Sequence, residues 1–494
     1  MSPEIPPEPA TAAVVTESGT AASADPAAPA PVPPGRARSF DCSIVDGPIL
    51  PAVWKIAWPT VLQNAIGGLQ GIVDHALVGH FVGFTGNAAI GVSWQIFLVV
   101  IVFISSLFTG MAVLVARFAG ANDVERVNRT VYQAFLTALV LSLAVLAPLG
   151  YALSPTLLSL VNATPAVRAE ALPFLRLMFT GSIGLLMFFM LGGALRAAGD
   201  ARTPLRLGVA MTVLNLGLNV VFIRGAGPIP AFGTVGAAMG TVIASVSVSA
   251  VAVWLLCTGR LVVHFPRSMS WRPDFVIIRS LFRFGLPAGI QGVAMNIGGV
   301  MLLRFIGSLR YSAEAQAAYA VCYAELFSLI TWTSVGLMGA AAAVAGQNLG
   351  AGKPDRSAHA VHITARIGLC VAAIIGSLFL LIPEQLLGIF GLQDPIVVGI
   401  GRELLGYLSV SGLFITVALT YTGGLQGTGD TRSPLYITLV SQVALPLGVC
   451  FALQQAGTLQ ASGVWTAILI GHSTRCVLSV VRFQQGKWRH IRVD

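Results

Sequence analysis

Long apolar stretches alternate with short polar ones along most of this chain. The stretch VYQAFLTALVLSLAVLAPLGYAL, residues 131–153, has no charged side chain and is long enough for one helix to cross a bilayer. The strands of a membrane β-barrel would be shorter and alternating, so the pattern predicts helices. Twelve such segments are centred near residues 65, 102, 141, 183, 214, 245, 290, 330, 372, 412, 444 and 471. We therefore predict an all-α polytopic membrane protein with twelve transmembrane helices.

Charge and composition add an orientation. Charged residues make up 10% of the chain and hydrophobic residues 55%, with a net charge of +9. If the N-terminus is cytoplasmic, 23 of the 29 Lys and Arg residues face the cytoplasm, as the positive-inside rule requires. The positive charge therefore reflects topology and does not indicate nucleic-acid binding. Residues 1–45, rich in Ala and Pro, are predicted to be a disordered cytoplasmic tail, and residues 485–494 a cytoplasmic C-terminal tail.

Three short phrases occur twice at nearly constant separation. RAAGDARTP (196–204) pairs with QGTGDTRSP (426–434), and ARFAGANDVER (116–126) with AGQNLGAGKPDR (345–356), both at an offset of 230. WKIAWP (54–59) pairs with FRFGLP (282–287) at an offset of 228. This order indicates an internal duplication with six spans in each half. We predict two lobes, residues 46–258 and 276–484, related by a pseudo-two-fold axis along the membrane normal and joined by a cytoplasmic loop over residues 259–275.

We interpret the repeated phrases as scaffold. Gly199 and Gly429 can end a helix in the left-handed conformation. The hydroxyls of Thr203 and Ser433 can then cap the next helix, ahead of a proline in its first turn. A phosphate-binding role for the glycines lacks the required strand–loop–helix context. The transport machinery is therefore expected where the two halves differ.

Two acids inside the predicted spans have no counterpart in the other half, Asp74 in the first span and Glu325 in the eighth. Ionisable residues inside a membrane are costly and mark transport pathways. A carboxylate in a low-dielectric cavity gains proton affinity, so it can exchange a proton for a cationic substrate. Alternatively, Asp74 is hydrated at the outer interface and Glu325 forms a structural pair with Arg304.

Polar side chains accompany these acids on two spans. On a helix, Gln63, Gly67, Gln70 and Asp74 share one face, and Asn215 and Asn219 repeat the four-residue step in the fifth span. The asparagines could instead only join neighbouring helices. We predict cation coupling at Asp74, Asn215, Asn219 and Glu325, and substrate binding at Gln63, Gly67, Gln70 and Asn296.

Between residues 45 and 485, the phrases quoted above, together with WPTVLQN, VDHALVGH and NLGLNVVF, resemble the multidrug and toxic compound extrusion (MATE) family, most closely its DNA-damage-inducible F type branch. The resemblance implies two six-helix lobes and cation-coupled export of drug-like compounds by alternating access. It matches Asp74 to a protonated first-helix aspartate, Asn215 to a fifth-helix asparagine and Thr241 to a sixth-helix threonine of the same cluster. The resemblance thus adds Thr241 to the predicted coupling residues. The seventh-helix acid of the family's sodium-coupled branch is replaced here by Met295 or Asn296, and its tenth-helix acid is missing, which favours protons over sodium.

The resulting prediction is a secondary antiporter that exports cationic or amphipathic small molecules in exchange for protons, without a cofactor or bound metal. We expect a monomer in the bacterial inner membrane, with both termini cytoplasmic. The alternatives are a sodium-coupled exporter and a flippase for lipid-linked sugars or other amphiphiles. A flippase should have several buried cations for pyrophosphate, whereas we expect mainly acidic buried charges. The sequence has no P-loop and no paired acids or His clusters at one membrane face, so we expect neither ATP-driven pumping nor an enzyme.

Overall fold

The computed structural model describes residues 40–492 except 162, 226, 267 and 268, and also excludes the side chains of residues 72, 75, 76, 79, 84 and 87. Within that part the chain is helical and has no β-strand. The first half contains α1 (Ser43–Asp46), α2 (Ile49–Phe81), α3 (Phe84–Ser105), α4 (Leu107–Gly120), α5 (Val124–Val140), α6 (Ala147–Leu160), α7 (Pro165–Thr180), α8 (Ser182–Ala197), α9 (Arg202–Arg224) and α10 (Thr234–Cys257).

The second half repeats this arrangement. It contains α11 (Phe275–Gly307), α12 (Ser312–Tyr319), α13 (Ser328–Gly350), α14 (Pro354–Leu381), α15 (Pro383–Ile389), α16 (Pro395–Gly427), α17 (Arg432–Thr438), α18 (Leu445–Gln455) and α19 (Ala461–Gln484). Segments of π-helix, Leu141–Leu146, Ala320–Leu326 and Leu439–Ala444, join α5 to α6, α12 to α13 and α17 to α18. The first long helix of each half, α2 or α11, has 33 residues and contains a proline, Pro59 or Pro287.

All twelve predicted centres fall within helical segments of this structure. In the described residues, ten helical segments are long and apolar enough to cross a membrane, and eleven if α7 and α8, bent by 50°, form one span. The multi-pass helical architecture is therefore confirmed, while the exact number of twelve remains a prediction.

Each half has its own apolar core, and a third core joins the halves. Ile56 and Ala57 of α2 pack with Leu337, Ala340 and Val344 of α13 in this third cluster. The first-half core also includes Leu281 and Phe284 of α11. The two halves are thus in direct contact through α2, α4, α11 and α13.

The second repeated phrase forms a close crossing between the halves. A Cβ at Gly120 would overlap the carbonyl oxygen of Gln347, and a Cβ at Gly350 would overlap that of Arg117. The 230-residue offset relates Gly120 to Gly350 and Arg117 to Gln347, so each half makes the same contact with the other. Because only glycine allows backbones to approach this closely, the repeated glycines close one end of the cleft between the halves.

Both terminal segments pack at this same end, which corrects the predicted extent of the two tails. Residues 1–39 lie outside the described residues, but residues 40–45 are not a free tail, since Ile44 is completely buried. Arg356 donates to the carbonyl oxygens of Ile44 and Gly47. At the other terminus, Trp488 is buried, and Arg117 donates to the carbonyl oxygen of Ile491 at 2.8 Å. Each terminal segment therefore binds the opposite half.

The first repeated phrase is a helix cap, although not through the predicted groups. Gly199 and Gly429 have the expected positive φ, 98° and 100°. The capping acceptor is the preceding acid rather than a hydroxyl, because Asp200 accepts from the backbone N–H of Thr203 at 3.0 Å and from its hydroxyl at 2.6 Å. Asp430 accepts in the same way from Ser433. The carboxylate accepts one bond at each oxygen, and the hydroxyl of Thr203 is itself one of the two donors.

The described part of the connection between the halves packs on α5. Gln133 donates to the carbonyl oxygen of Arg272 at 2.9 Å, and the hydroxyl of Tyr132 donates to that of Trp271 at 2.9 Å. Phe265 is buried in the first-half core, and burial lowers the pKa of the neighbouring His264. This connection therefore belongs structurally to the first half.

Candidate functional site

Four of the predicted coupling residues form one hydrogen-bonded network between α2, α9 and α10. Asn219 donates from Nδ2 to Oδ1 of Asp74 at 2.8 Å and to Oδ1 of Asn215 at 3.2 Å. Asn215 donates from Nδ2 to the hydroxyl of Thr241 at 3.1 Å. Gln70, predicted to bind substrate, donates to Oδ1 of Asn215 at 3.0 Å, so the structure places it in this network instead.

The arrangement of donors makes Asp74 an acceptor. Thr241 donates its hydroxyl hydrogen to the carbonyl oxygen of Ala237, so it can accept from Asn215. The bond from Asn219 then fits an ionised carboxylate at Asp74. On the same amide, Oδ1 of Asn219 is buried and has no hydrogen-bond partner among the described residues. A buried acceptor without a donor is costly, and a protonated neighbouring carboxyl would supply that donor.

The predicted polar stripe on α2 divides into two environments. Gln70 and Asp74, at the C-terminal end of the stripe, form hydrogen bonds with α9. Gln63, at its N-terminal end, accepts a hydrogen bond at 3.1 Å from Arg196 on α8. Gly67 lies between them and is exposed, with open space where a Cβ would be. The stripe thus joins two sites, one acidic and one basic.

Glu325 and Asn296 stand apart from this network in the structure. Glu325 is half-buried in the π-helical segment Ala320–Leu326, and Asn296 is exposed, with its amide bonded to the carbonyl oxygen of Gly292. Among the ion pairs of the described residues, none joins Glu325 to Arg304, which is exposed. The structural pairing considered for Glu325 is therefore wrong in this conformation.

A cavity of about 380 Å³ lies between the halves, lined by α2, α4 and α8 from one side and by α13 and α16 from the other. Its polar lining residues include Asn64, Thr109, Arg196 and Gln426, none of which we predicted from the sequence. The charged residue of this lining is Arg196, so the expectation of mainly acidic interior charge is wrong here. A signal was available in the sequence, since Arg196 and Gln426 are the first letters of the repeated phrase and differ in charge.

Comparison with known proteins supports the duplication. The family profile described as MatE matches twice, over residues 59–221 and 287–451, once in each half. The chain belongs to this family of membrane transporters. MATE proteins are transporters and not enzymes, as predicted, while assignment to the DNA-damage-inducible F type branch remains a prediction.

Relatives match almost end to end. The probable multidrug resistance protein NorM of Thermotoga maritima is 26% identical, covering 88% of this chain and 92% of its own. The multidrug resistance protein MdtK of Pectobacterium atrosepticum is also 26% identical, covering 87% and 94%. A solved structure described as the outward-facing conformation of a multidrug resistance MATE family transporter superposes with a TM-score of 0.82 at 22% identity, covering 90% and 97%. This last match confirms the two-lobe fold.

Proposed function

We propose that this protein is a secondary active exporter that moves amphipathic, drug-like molecules out of the cell in exchange for protons. The names of its relatives, which refer to multidrug resistance, support the cargo class. The observation that carries the coupling is the network around Asp74, in which the carboxylate accepts from Asn219, while Oδ1 of the same amide has no partner in the part of the chain that the structure describes. The bacterial inner membrane, with both termini cytoplasmic, is the proposed location.

One proton can switch this network. Asp74 accepts from Nδ2 of Asn219, and an ionised carboxylate would make this bond. After protonation, the carboxyl becomes a donor, and rotation of the Asn219 amide would present Oδ1 as its acceptor. That rotation removes the bond from Asn219 to Asn215 within α9 and reverses the bond between Asn219 and Asp74, which is the one that joins α9 to α2. Proton binding thus biases the position of α2, which also contacts α13 of the other half.

The present conformation fits one end of the transport cycle. The halves are closed at the end that holds Gly120, Gly350 and both terminal segments. With cytoplasmic termini, this closure corresponds to a state whose cleft can open only to the outside. Alternating access then requires that the reciprocal glycine crossing separates when the protein opens inward.

The test uses reconstituted protein in vesicles with an imposed pH gradient. Proton movement is recorded when dansylglycine or dansylcholine is added, which carry the same fluorophore with opposite charge. Asp74→Asn is expected to abolish proton exchange for any probe that the wild type transports, because the amide cannot be protonated at physiological pH. Glu325→Gln, the matched change in the other half, should retain exchange. Transport by wild type that depends on sodium and ignores the pH gradient would contradict the proposal.

A further inference from the structure

The cavity between the halves has the size and lining of a site for a small organic molecule. Its volume of about 380 Å³ lies within the range of ligand pockets. Phe108, Phe189 and Met338 provide apolar contact surface from both halves, and the guanidinium of Arg196 provides a charge. A ligand held here would contact both lobes at once.

The two halves form the same hydrogen bond beside this cavity, with one difference. Arg196 donates from Nη1 to Oε1 of Gln63 at 3.1 Å, and Gln426 donates from Nε2 to Oε1 of Gln291 at 3.2 Å. Arg196 and Gln426 are related by the 230-residue offset, and Gln63 and Gln291 by the 228-residue offset. A glutamine therefore satisfies the structural bond. The arginine adds a fixed positive charge and further N–H donors that this bond does not require.

The charge of Arg196 has no acidic partner in the described part of the chain. None of the ion pairs formed by described residues includes it. Asp74, on the same stripe of α2, lies eleven residues from Gln63, roughly 16 Å along the helix axis, and bonds to Asn219 instead. A half-buried cation without a counter-ion is costly to hold in a membrane protein. A ligand anion would offset that cost, whereas a ligand cation would increase it.

We propose that this cavity selects cargo that carries a single anionic group, such as a carboxylate or sulfonate, on an aromatic or aliphatic body. The guanidinium of Arg196 binds the anionic group, and the apolar side chains hold the body. One guanidinium suits one anionic group, and the lining lacks the several cations that a pyrophosphate would need. This inference rests on the proposed function only in taking the cavity as part of the export path, and it replaces the expected cationic cargo.

The test measures equilibrium binding to the purified full-length protein, without any gradient. Dansylglycine and dansylcholine are titrated by fluorescence against wild type, Arg196→Gln and Arg196→Lys. Wild type is expected to bind dansylglycine more tightly than dansylcholine. Arg196→Gln should weaken dansylglycine about tenfold or more, as for the loss of a charge-assisted hydrogen bond, and strengthen dansylcholine. Arg196→Lys, which keeps the charge, should retain the preference for dansylglycine.

The control is Arg206→Gln, the same substitution at an exposed position on α9 outside the cavity, which should change neither affinity. The inference is overturned if wild type prefers dansylcholine, a comparison that needs no variant to fold, or if folded Arg196→Gln binds dansylglycine as tightly as wild type. Failure of the proposed proton coupling is separate, because it appears as gradient-independent transport and leaves these affinities unchanged.

Discussion

The two halves of this transporter share one scaffold, and one of the places where they differ is the polar network around Asp74. In the first half, Gln70, Asp74, Asn215, Asn219 and Thr241 form the polar network. At offsets of 228 and 230, the second half has in their places Gly298, Leu302, Leu445, Val449 and Gly471. Leu302 is buried in the second-half core, and Leu447 and Val449 of α18 pack against that core.

The difference separates what the duplicated fold needs from what transport needs. The cap at Asp200 and Asp430 and the crossing at Gly120 and Gly350 occur in both halves, so the scaffold depends on them. The polar network occurs in one, and the five corresponding positions of the other half carry only glycine and aliphatic side chains. A buried polar network costs more than apolar packing, so its retention in one half points to function.

The largest expected effect is at Gly240, where the polar network is most tightly confined. A Cβ at this position would overlap Oδ1 of Asn219. Gly240→Ala should therefore displace the amide from Asp74 and abolish proton exchange as completely as Asp74→Asn. Gly217→Ala on α9, with open space around its Cβ, is the control and should keep exchange. Normal exchange in folded Gly240→Ala would remove Asn219 from the coupling mechanism.

The next largest effect is the loss of stability expected when either capping acid, Asp430 or Asp200, is removed. Asp430 is 6% exposed and also pairs with Arg482 of α19, at 2.8 and 3.0 Å, whereas Asp200 has no ion pair in the residues described. Asp430→Ala should destabilise by about 3 kcal/mol because it also leaves Arg482 unpaired, and Asp200→Ala by about 1 kcal/mol, the loss of a cap. Thermal melting in detergent measures both. Equal losses of stability in the two variants would show that the ion pair between Asp430 and Arg482 contributes nothing to stability.

The glycine crossing should respond equally in both halves. Gly120→Ala and Gly350→Ala each place a Cβ against a backbone carbonyl that cannot rotate away. We expect each to destabilise the closed conformation by about 2 kcal/mol, the usual cost of overpacking. The measurements are the melting temperature and the reactivity of a cysteine at the closed end toward a thiol reagent. The control is Gly399→Ala, because a Cβ at that position meets no neighbouring atom. A large effect in one half only would contradict the reciprocal contact.

The smallest effect concerns Arg356 and its counterpart Arg126. Arg356 binds carbonyl oxygens of the N-terminal segment and also Asn348, while Arg126 pairs with the nearby Asp123 at the surface. Arg356→Ala should cost about 1.5 kcal/mol and expose residues 40–47 to proteolysis. Arg126→Ala should cost less than about 0.5 kcal/mol. Protection of the segment in Arg356→Ala would show that its other contacts, such as the buried Ile44 and the pair between Lys353 and Asp46, are enough to hold it.

Much of the fold follows from the sequence because its signals are local. Apolar length fixes each helix, and the repeated phrases fix the duplication. The network around Asp74 was also largely predictable, since residues four apart on one helix share a face and polar atoms inside a membrane must bond to one another. The sequence placed Gln70 on this face, but only the structure shows that it bonds to Asn215 rather than lying in the central cavity.

The cavity and its charge depend on how the halves meet. Arg196 lies in the last turn of α8, and in the sequence it is simply a basic residue next to a predicted cytoplasmic loop. Packing of α2, α8, α13 and α16 turns it toward the space between the lobes, where a guanidinium that has no counter-ion among the described residues selects for negative charge. The sequence by itself determined the helices, the repeat and the acidic network, because these depend on periodicity and spacing. Only the tertiary structure decided which charge faces the cargo, because that depends on the contact between segments far apart in the chain.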